Sequence, residues 1–283
     1  MVQAPIARLI TSGRVIAFLI AACPGSAARA EQEPLLEYGL GIGAIAFEDY
    51  RGSGTVHAYP VPVPYLVYNG KFLKADREGI RGTLFDQDWI EVNLSANATT
   101  PVRNDRVRSG MPDLHSTLEL GPSLDVHLLR APGSGVTLDL RTPLRSAIEV
   151  AALPRPVGWT LTPRLALDVT APFGLRGWNF GALAGPLFAD RRYHDYFYSV
   201  ASEYVTATRP AYAAAAGYAG TQFILALSKR YPRYWVGAFM RYDTLHGAVF
   251  RDSPLVRTDG YWSAGFGIVW MIHRSDERVD VSR

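Results

Sequence analysis

Residues 89–98 read WIEVNLSANA and set Ile90, Val92 and Leu94 against Glu91, Asn93 and Ser95. Apolar and polar side chains alternate with a period of two. Only an extended strand sends successive side chains to opposite faces in this way. The pattern recurs on both sides of this stretch. Residues 38–47, YGLGIGAIAF, alternate glycine or alanine with Leu40, Ile42 and Ile45. Residues 114–129 place Leu118, Leu120, Leu124, Val126 and Leu128 against Glu119, Asp125 and His127. Gly133-Ser134-Gly135 reads as a turn, after which 136–141 alternate again. Further strands are expected at 145–151, 160–170, 178–188, 190–200, 221–228, 234–245 and 261–272. Residues 63–68 are β-branched and aromatic, and Pro60, Pro62 and Pro64 make the start of that strand an irregular entry. Residues 99–112 read as a polar loop. The series comes to about twelve strands, and the expected fold is all-β: one antiparallel transmembrane β-barrel domain.

The composition suits that class. Of 283 residues, 12% are aromatic and 19% charged, the latter below the roughly 25% of soluble domains. The formal charge of +3 resides in the first thirty residues, where Arg8, Arg14 and Arg29 stand without an acid. The remainder is neutral and has no basic excess to attract nucleic acid. The single cysteine, Cys23, lies in the same segment. The chain after it has neither a disulfide nor a thiolate to offer.

Residues 1–30 have the parts of a secretory signal: a basic start, the apolar run 15–22 (VIAFLIAA) and the cleavage sequence Ala28-Arg29-Ala30. Glu31 would then begin the mature chain. Ile20-Ala21-Ala22-Cys23 also resembles a lipoprotein box, which would leave Cys23 as a lipidated N-terminus, and both readings stay open. No later stretch reaches eighteen consecutive apolar residues. Any membrane passage must therefore be made by a closed sheet. The expected organisation is a signal at 1–30, a barrel at 31–272 and a charged, solvated tail, HRSDERVDVSR, at 273–283.

Alternation alone does not separate a membrane barrel from a soluble sandwich. The aromatic residues add information. Trp89, Tyr193, Tyr198, Tyr231, Tyr234, Trp235, Tyr261, Trp262 and Trp270 fall near expected strand ends. That placement suits the girdles where an apolar ring with a polar tip sits at headgroup level.

The last third of the chain carries a specific resemblance. YHDYFYSV (193–200), TRPAYAAAAGYAGTQFILALSKRYPRYWVGAFMRYDTLHGAVFRDSPLV (208–256) and YWSAGFGIVWMI (261–272) resemble the MltA-interacting and OmpV-like outer-membrane protein family. FEDYRGSG (47–54) and VPYLVYNGKFLKADREGI (63–80) resemble its N-terminal hairpin more loosely. The resemblance implies a Gram-negative outer-membrane barrel, monomeric and surrounded by outer-membrane lipid. It implies a non-catalytic role as a scaffold or envelope interaction protein. One member links a murein lytic transglycosylase to a peptidoglycan synthase, and others are surface antigens or adhesins. No catalytic residue and no cofactor comes with it. The charged tail departs from the aromatic last residue with which many such barrels end.

The residues themselves leave three function classes open: a scaffold, a small channel, and a lipid-modifying enzyme that gathers Ser, His and an acid from different strands. The six histidines show no HExxH spacing and there is no GxSxG elbow, so no metal or catalytic set is expected from motifs. The densest charge pattern is Arg192, His194 and Asp195, with Arg192 and His194 on one face if 190–200 is a strand. Arg241 and Asp243 share a face, with Met240 and Tyr242 on the opposite, lipid-facing side. These five residues form a candidate lumenal cluster. It serves either to order a loop or line a pore, or as a salt-bridge network that stabilises the wall. Asp252-Ser253-Pro254 reads as a turn.

Overall fold

The computed structural model describes residues 32–69, 73–76, 79–87, 89–103, 105–131 and 133–280. The proposed signal, with Cys23, lies outside them. The strands are β1 (Gln32–Pro34), β2 (Leu36–Glu48), β3 (Val56–Asn69), β4 (Leu73–Asp76), β5 (Gly79–Gln87), β6 (Ile90–Ala98), β7 (Thr117–Ala131) and β8 (Val136–Glu149). They continue with β9 (Arg155–Leu161), β10 (Arg164–Thr170), β11 (Trp178–Ala189), β12 (Gly217–Arg230), β13 (Tyr234–Thr244), β14 (Gly260–Arg274) and β15 (Arg278–Asp280). One α-helix among the described residues, α1 (Arg191–Tyr198), lies between β11 and β12. No helix among them is long and apolar enough to cross a membrane.

Thirteen strands form a single antiparallel sheet. Its pairings run from β8 through β10, β11, β12, β13, β14, β2, β3, β4, β5, β6 and β7, and return to β8. β9 and β10 are two halves of one wall strand, broken at Thr162-Pro163. Each pairs with β8 on one side and with β11 on the other. The connections 49–55, 99–116, 150–154, 190–216 and 245–259, among them the three longest of the sheet (99–116, 190–216 and 245–259), gather at one end of the strands. Short turns gather at the other end, together with a small sheet that joins β1 to β15. The tail, expected as a solvated extension, also contributes strand: β14 continues to Arg274, and Arg278–Asp280 pair with Gln32–Pro34.

The polarity of the sheet is inverted relative to a soluble protein. On β7 the buried side chains are Thr117, Glu119, Ser123 and Asp125, while Leu118, Leu120 and Leu124 are exposed. On β2, Glu37 is 2% exposed and Ile42 is 65% exposed. On β14, Ser263 is buried and Phe266 is 68% exposed. The inward polar groups partner one another. Asn93 donates to Asp125 at 3.0 Å, and Arg145 donates to Ser95 at 2.8 and 3.0 Å. Arg141 bridges Asp139 and Asp168 at 3.1 and 3.2 Å. Near the turn end, Glu37 accepts from Arg230 and Arg274, and Arg230 also donates to Tyr65.

Aromatic residues mark two levels of the exposed face. Tyr242 lies opposite Trp262 across β13 and β14, with ring centroids 4.8 Å apart. Eight residues along, Tyr234 lies opposite Trp270. Lys229 sits over the rings of Trp178 and Tyr231 at 5.0 and 4.9 Å, at the same end as Tyr234. Eight residues span about 27 Å of strand, or about 21 Å along an axis tilted by roughly 40°. Four aromatic residues expected at these levels are elsewhere. Tyr261, 6% exposed, lies opposite the buried Asp243 on the inner face. Trp235 is on the inner face, where it packs on Gly237 and lies 6.0 Å from Tyr65. Tyr193 and Tyr198 belong to α1.

Two local expectations are corrected. Residues 190–200 are not a strand. Asp190 caps α1 by accepting from the Tyr193 amide at 2.9 Å, and the buried His194, Phe197 and Tyr198 recur at helical spacing. The prolines do not make an irregular entry either, because β3 runs unbroken from Val56. The hydrogen bond from the Asp49 amide to the Thr55 carbonyl fixes which pairs are bonded. In an antiparallel ladder every second pair exchanges bonds, so the odd-numbered residues of β3 bond to β2. Pro60, Pro62 and Pro64 sit at even positions, where their missing N–H groups take nothing from that ladder.

Candidate functional site

The largest apolar core of the described residues is built by the long connections, not by the strands. Tyr50 comes from 49–55, Val102 from 99–116, Phe197 and Tyr198 from 190–216, and Leu245 and Phe250 from 245–259. Phe250 and Leu245 are fully buried. Each such side chain contributes about 1.5–3 kcal/mol by leaving water.

Helix α1 is the strap of this cap. Gly158 on β9 seats its first turn: φ is +135°, and a Cβ there would lie 2.2 Å from the Asp190 Oδ1. Tyr193 donates to Glu119 of β7 at 3.0 Å. The Tyr196 hydroxyl lies 3.2 Å from Glu149 of β8 and 3.1 Å from the His115 carbonyl. From the other end of the helix, Tyr198 donates to the Arg51 carbonyl at 3.1 Å. Its ring stacks on Phe250 at 3.7 Å with 7° between planes. β7 and β8 lie half-way round the cycle of pairings from β14 and β2. The segment therefore reaches from one side of the mouth to the other. Burial pushes the phenols of Tyr193 and Tyr198 well above their ordinary value, and burial with Glu149 pushes Tyr196 up to about 12. All three stay protonated and able to donate.

Two buried arginines tie the connections to one another. Arg209 donates to the Val107, Ser109 and Tyr204 carbonyls at 2.8–3.0 Å. Arg108 donates to the Phe197 carbonyl at 3.0 Å. Such side chain to backbone bonds satisfy loop carbonyls that no strand can reach.

Beneath the cap, Asp243 is fully buried and holds two arginines. Arg241 pairs with it from the same face of β13, and Arg51 reaches it from the 49–55 connection at 3.2 Å. Arg51 also donates to the Ala219 carbonyl at 2.7 Å, and Arg241 to Tyr261 at 3.2 Å. The expected pairing of Arg241 with Asp243 is present, and Met240 faces outward. The other three expected members are on α1 and do not join that ion pair. Arg192 is exposed. Asp195 accepts from Ser199 at 2.6 Å and pairs with Arg191 at 3.6 Å. His194 is fully buried, between Tyr198 and Phe250, with its Nδ1 2.6 Å from the Ala215 carbonyl. A carbonyl only accepts, so this nitrogen carries the proton. Burial pulls the His194 pKa down, and the Arg51 charge lowers it too.

Arg51 and Tyr198, which no motif singled out, join the Asp243 pair to the cap. Of the other histidines, His127 is held by Asp139 and Arg130, and His57 pairs with Asp49. None of these contacts, nor that of His194, is to a serine hydroxyl.

The arrangement is a charged interior closed at one mouth by a packed cap. The family profile described as MltA-interacting protein MipA matches residues 40–272, which takes in both the sheet and the cap. This chain belongs to the MipA family. No curated protein matches the sequence. The MipA match begins at Leu40, within β2, and ends at Ile272, within β14. It leaves β1 and β15, the two strands of the small sheet, outside.

Proposed function

We propose that this MipA-family chain is a Gram-negative outer-membrane β-barrel that holds a partner rather than turning over a substrate. The observation that carries the reading is the inverted polarity of the wall, with Glu119 and Asp125 buried while Leu118, Leu120 and Leu124 are exposed. An apolar outer face is costly in water and favourable in lipid. The cycle of pairings has twelve wall positions, counting β9 and β10 as one. The aromatic levels about 21 Å apart match a thin hydrocarbon band.

Long connections lie outside the cell and short turns in the periplasm in such barrels. The cap is then extracellular. The turn at 171–177 faces the compartment where murein enzymes work. It presents Phe173, wholly exposed, with Ala171 and Phe173 both at positive φ (51° and 56°). Strained backbone that displays an apolar side chain suits a docking point. The family description points to a lytic transglycosylase as the partner, and the resemblance adds a peptidoglycan synthase. A cap that crosses one mouth supports a plugged barrel over an open channel.

The test is affinity purification from detergent-solubilised envelopes. Retention of a lytic transglycosylase by the native chain, and its loss in Phe173→Ser, is the expected result. Recovery of the folded barrel with no murein enzyme would count against the scaffold reading.

A further inference from the structure

The wall is not uniformly paired. β3 bonds to β2 along its whole length, but on its other side it pairs with β4 only at Tyr68 and Asn69. β6 pairs with β5 only as far as Asn93. Among the described residues, two strand edges, 56–67 of β3 and 94–98 of β6, therefore face each other without a ladder between them. The β4–β5 hairpin closes only the turn-end half of this interval.

The register of β3 says what the edge is suited to. Its even-numbered residues point their backbone groups into the interval, and three of them are Pro60, Pro62 and Pro64. The stretch from Pro60 to Pro64 thus offers no N–H to the interval. A second strand cannot add there, because strand addition needs those donors. Hydrocarbon needs none, and each proline removes an N–H that would cost several kcal/mol unpaired there; the three proline carbonyls still face the interval and carry that cost. The prolines also lie at membrane depth. Pro64 and Pro60 pair with Leu40 and Ala44, which in turn pair with Trp270 and Phe266. The inner face of β3 beside the interval is apolar: Val63 packs over Gly43 and Gly267, and Val61 is its neighbour on that face.

We propose that the interval between β3 and β6 is a lateral opening in the barrel wall, and that an acyl chain of the surrounding membrane enters it and lies along Val61 and Val63. The inference rests on the membrane-barrel reading. The experiment is therefore arranged so that the two fail separately.

A photoreactive benzoylphenylalanine is placed at Val61, at Val63, at the outward Phe266 and at the inward Ile224. Ile224, on β12, lies across the barrel from the opening. Each protein is refolded into vesicles of phosphatidylethanolamine and phosphatidylglycerol. Heat-modifiable gel migration checks folding, and the two valine sites guard against one failing to fold. Irradiation and mass spectrometry then read lipid adducts. Lipid adducts at Phe266 and at a valine site, at least tenfold above Ile224, are the expected result. Adducts at Phe266 with the valines at the Ile224 level overturn the opening and leave the membrane barrel standing. A protein–protein crosslink from the valine sites in place of lipid also overturns it, in favour of a second chain. No adduct at Phe266 removes the membrane reading and the inference with it.

Discussion

Replacing Phe250 by alanine removes the ring at the centre of the cap. That ring is 1% exposed, stacks on Tyr198 at 3.7 Å and meets His194 edge-on at 4.9 Å. Truncating a packed phenylalanine costs about 3–5 kcal/mol, and two aromatic neighbours argue for the upper half of that range. The β-ladders do not use Phe250, so the loss falls on the cap and not on the wall. With 1.4 kcal/mol per factor of ten, the cap-open population rises by about three to three and a half powers of ten. Amide hydrogen exchange in lipid vesicles reads this directly, because local opening exposes the amides of 190–216 and 245–259. The strand peptides of β12 and β13 serve as an internal reference. Faster exchange in both connections with unchanged strands is expected, together with conductance in planar bilayers above that of the native chain. Unchanged exchange in the connections would refute the claim that they form one packed unit.

Other perturbations probe separate parts of the account. Asp243→Ala leaves the Arg51 and Arg241 guanidinium groups without their carboxylate and is expected to cost about 3–5 kcal/mol, read as a lowered urea midpoint in vesicles. Gly158→Ala puts a Cβ against the Asp190 cap at a backbone conformation that alanine resists; a loss of about 1–3 kcal/mol should show as faster exchange in α1. Gly133→Ala, with open space around the same atom, should leave α1 unchanged. His194 has a folded-state pKa below the ordinary imidazole value of about 6.5, so the opened cap takes up a proton that the closed cap refuses. Cap protection should be flat above about pH 6.5 and fall as pH drops from there toward the lowered value, and His194→Asn should remove that component. Pro62→Val leaves the β2–β3 ladder intact but points a new, unpaired N–H into the lipid-facing interval, and Val61→Pro deletes a ladder donor; each should cost at least about 1 kcal/mol, read by urea unfolding.

The wall was legible in the sequence because a strand with two different environments writes a period of two. The Glu91, Asn93 and Ser95 series and the Arg241–Asp243 pair were readable for that reason. The cap was not. Its members are single residues scattered over four connections, and Tyr50, Val102, Phe197 and Phe250 share no period. Arg51 reaches Asp243 across 192 residues, so no local pattern announces it. Helix α1 did leave a signal, since Asp190 as N-cap and the pairs 193/194 and 197/198 fit a helix better than a strand. The density of aromatic residues masked it. The prolines of β3 were misread because a breaker breaks only a bond that exists. Which neighbour an N–H faces is a property of the register, and one strand's sequence does not contain it.

The central claim is a wall whose apolar face meets lipid and whose polar face lines the interior. Nitroxide labels placed one at a time from Gly260 to Ile272 of β14, in lipid vesicles, test it most directly. Oxygen accessibility should alternate with a period of two. It should peak at 264, 266 and 268, where the outward side chains meet hydrocarbon, and a polar nickel reagent should stay low at those positions. Uniform accessibility along β14, or oxygen maxima at 263, 265 and 267, would contradict the account.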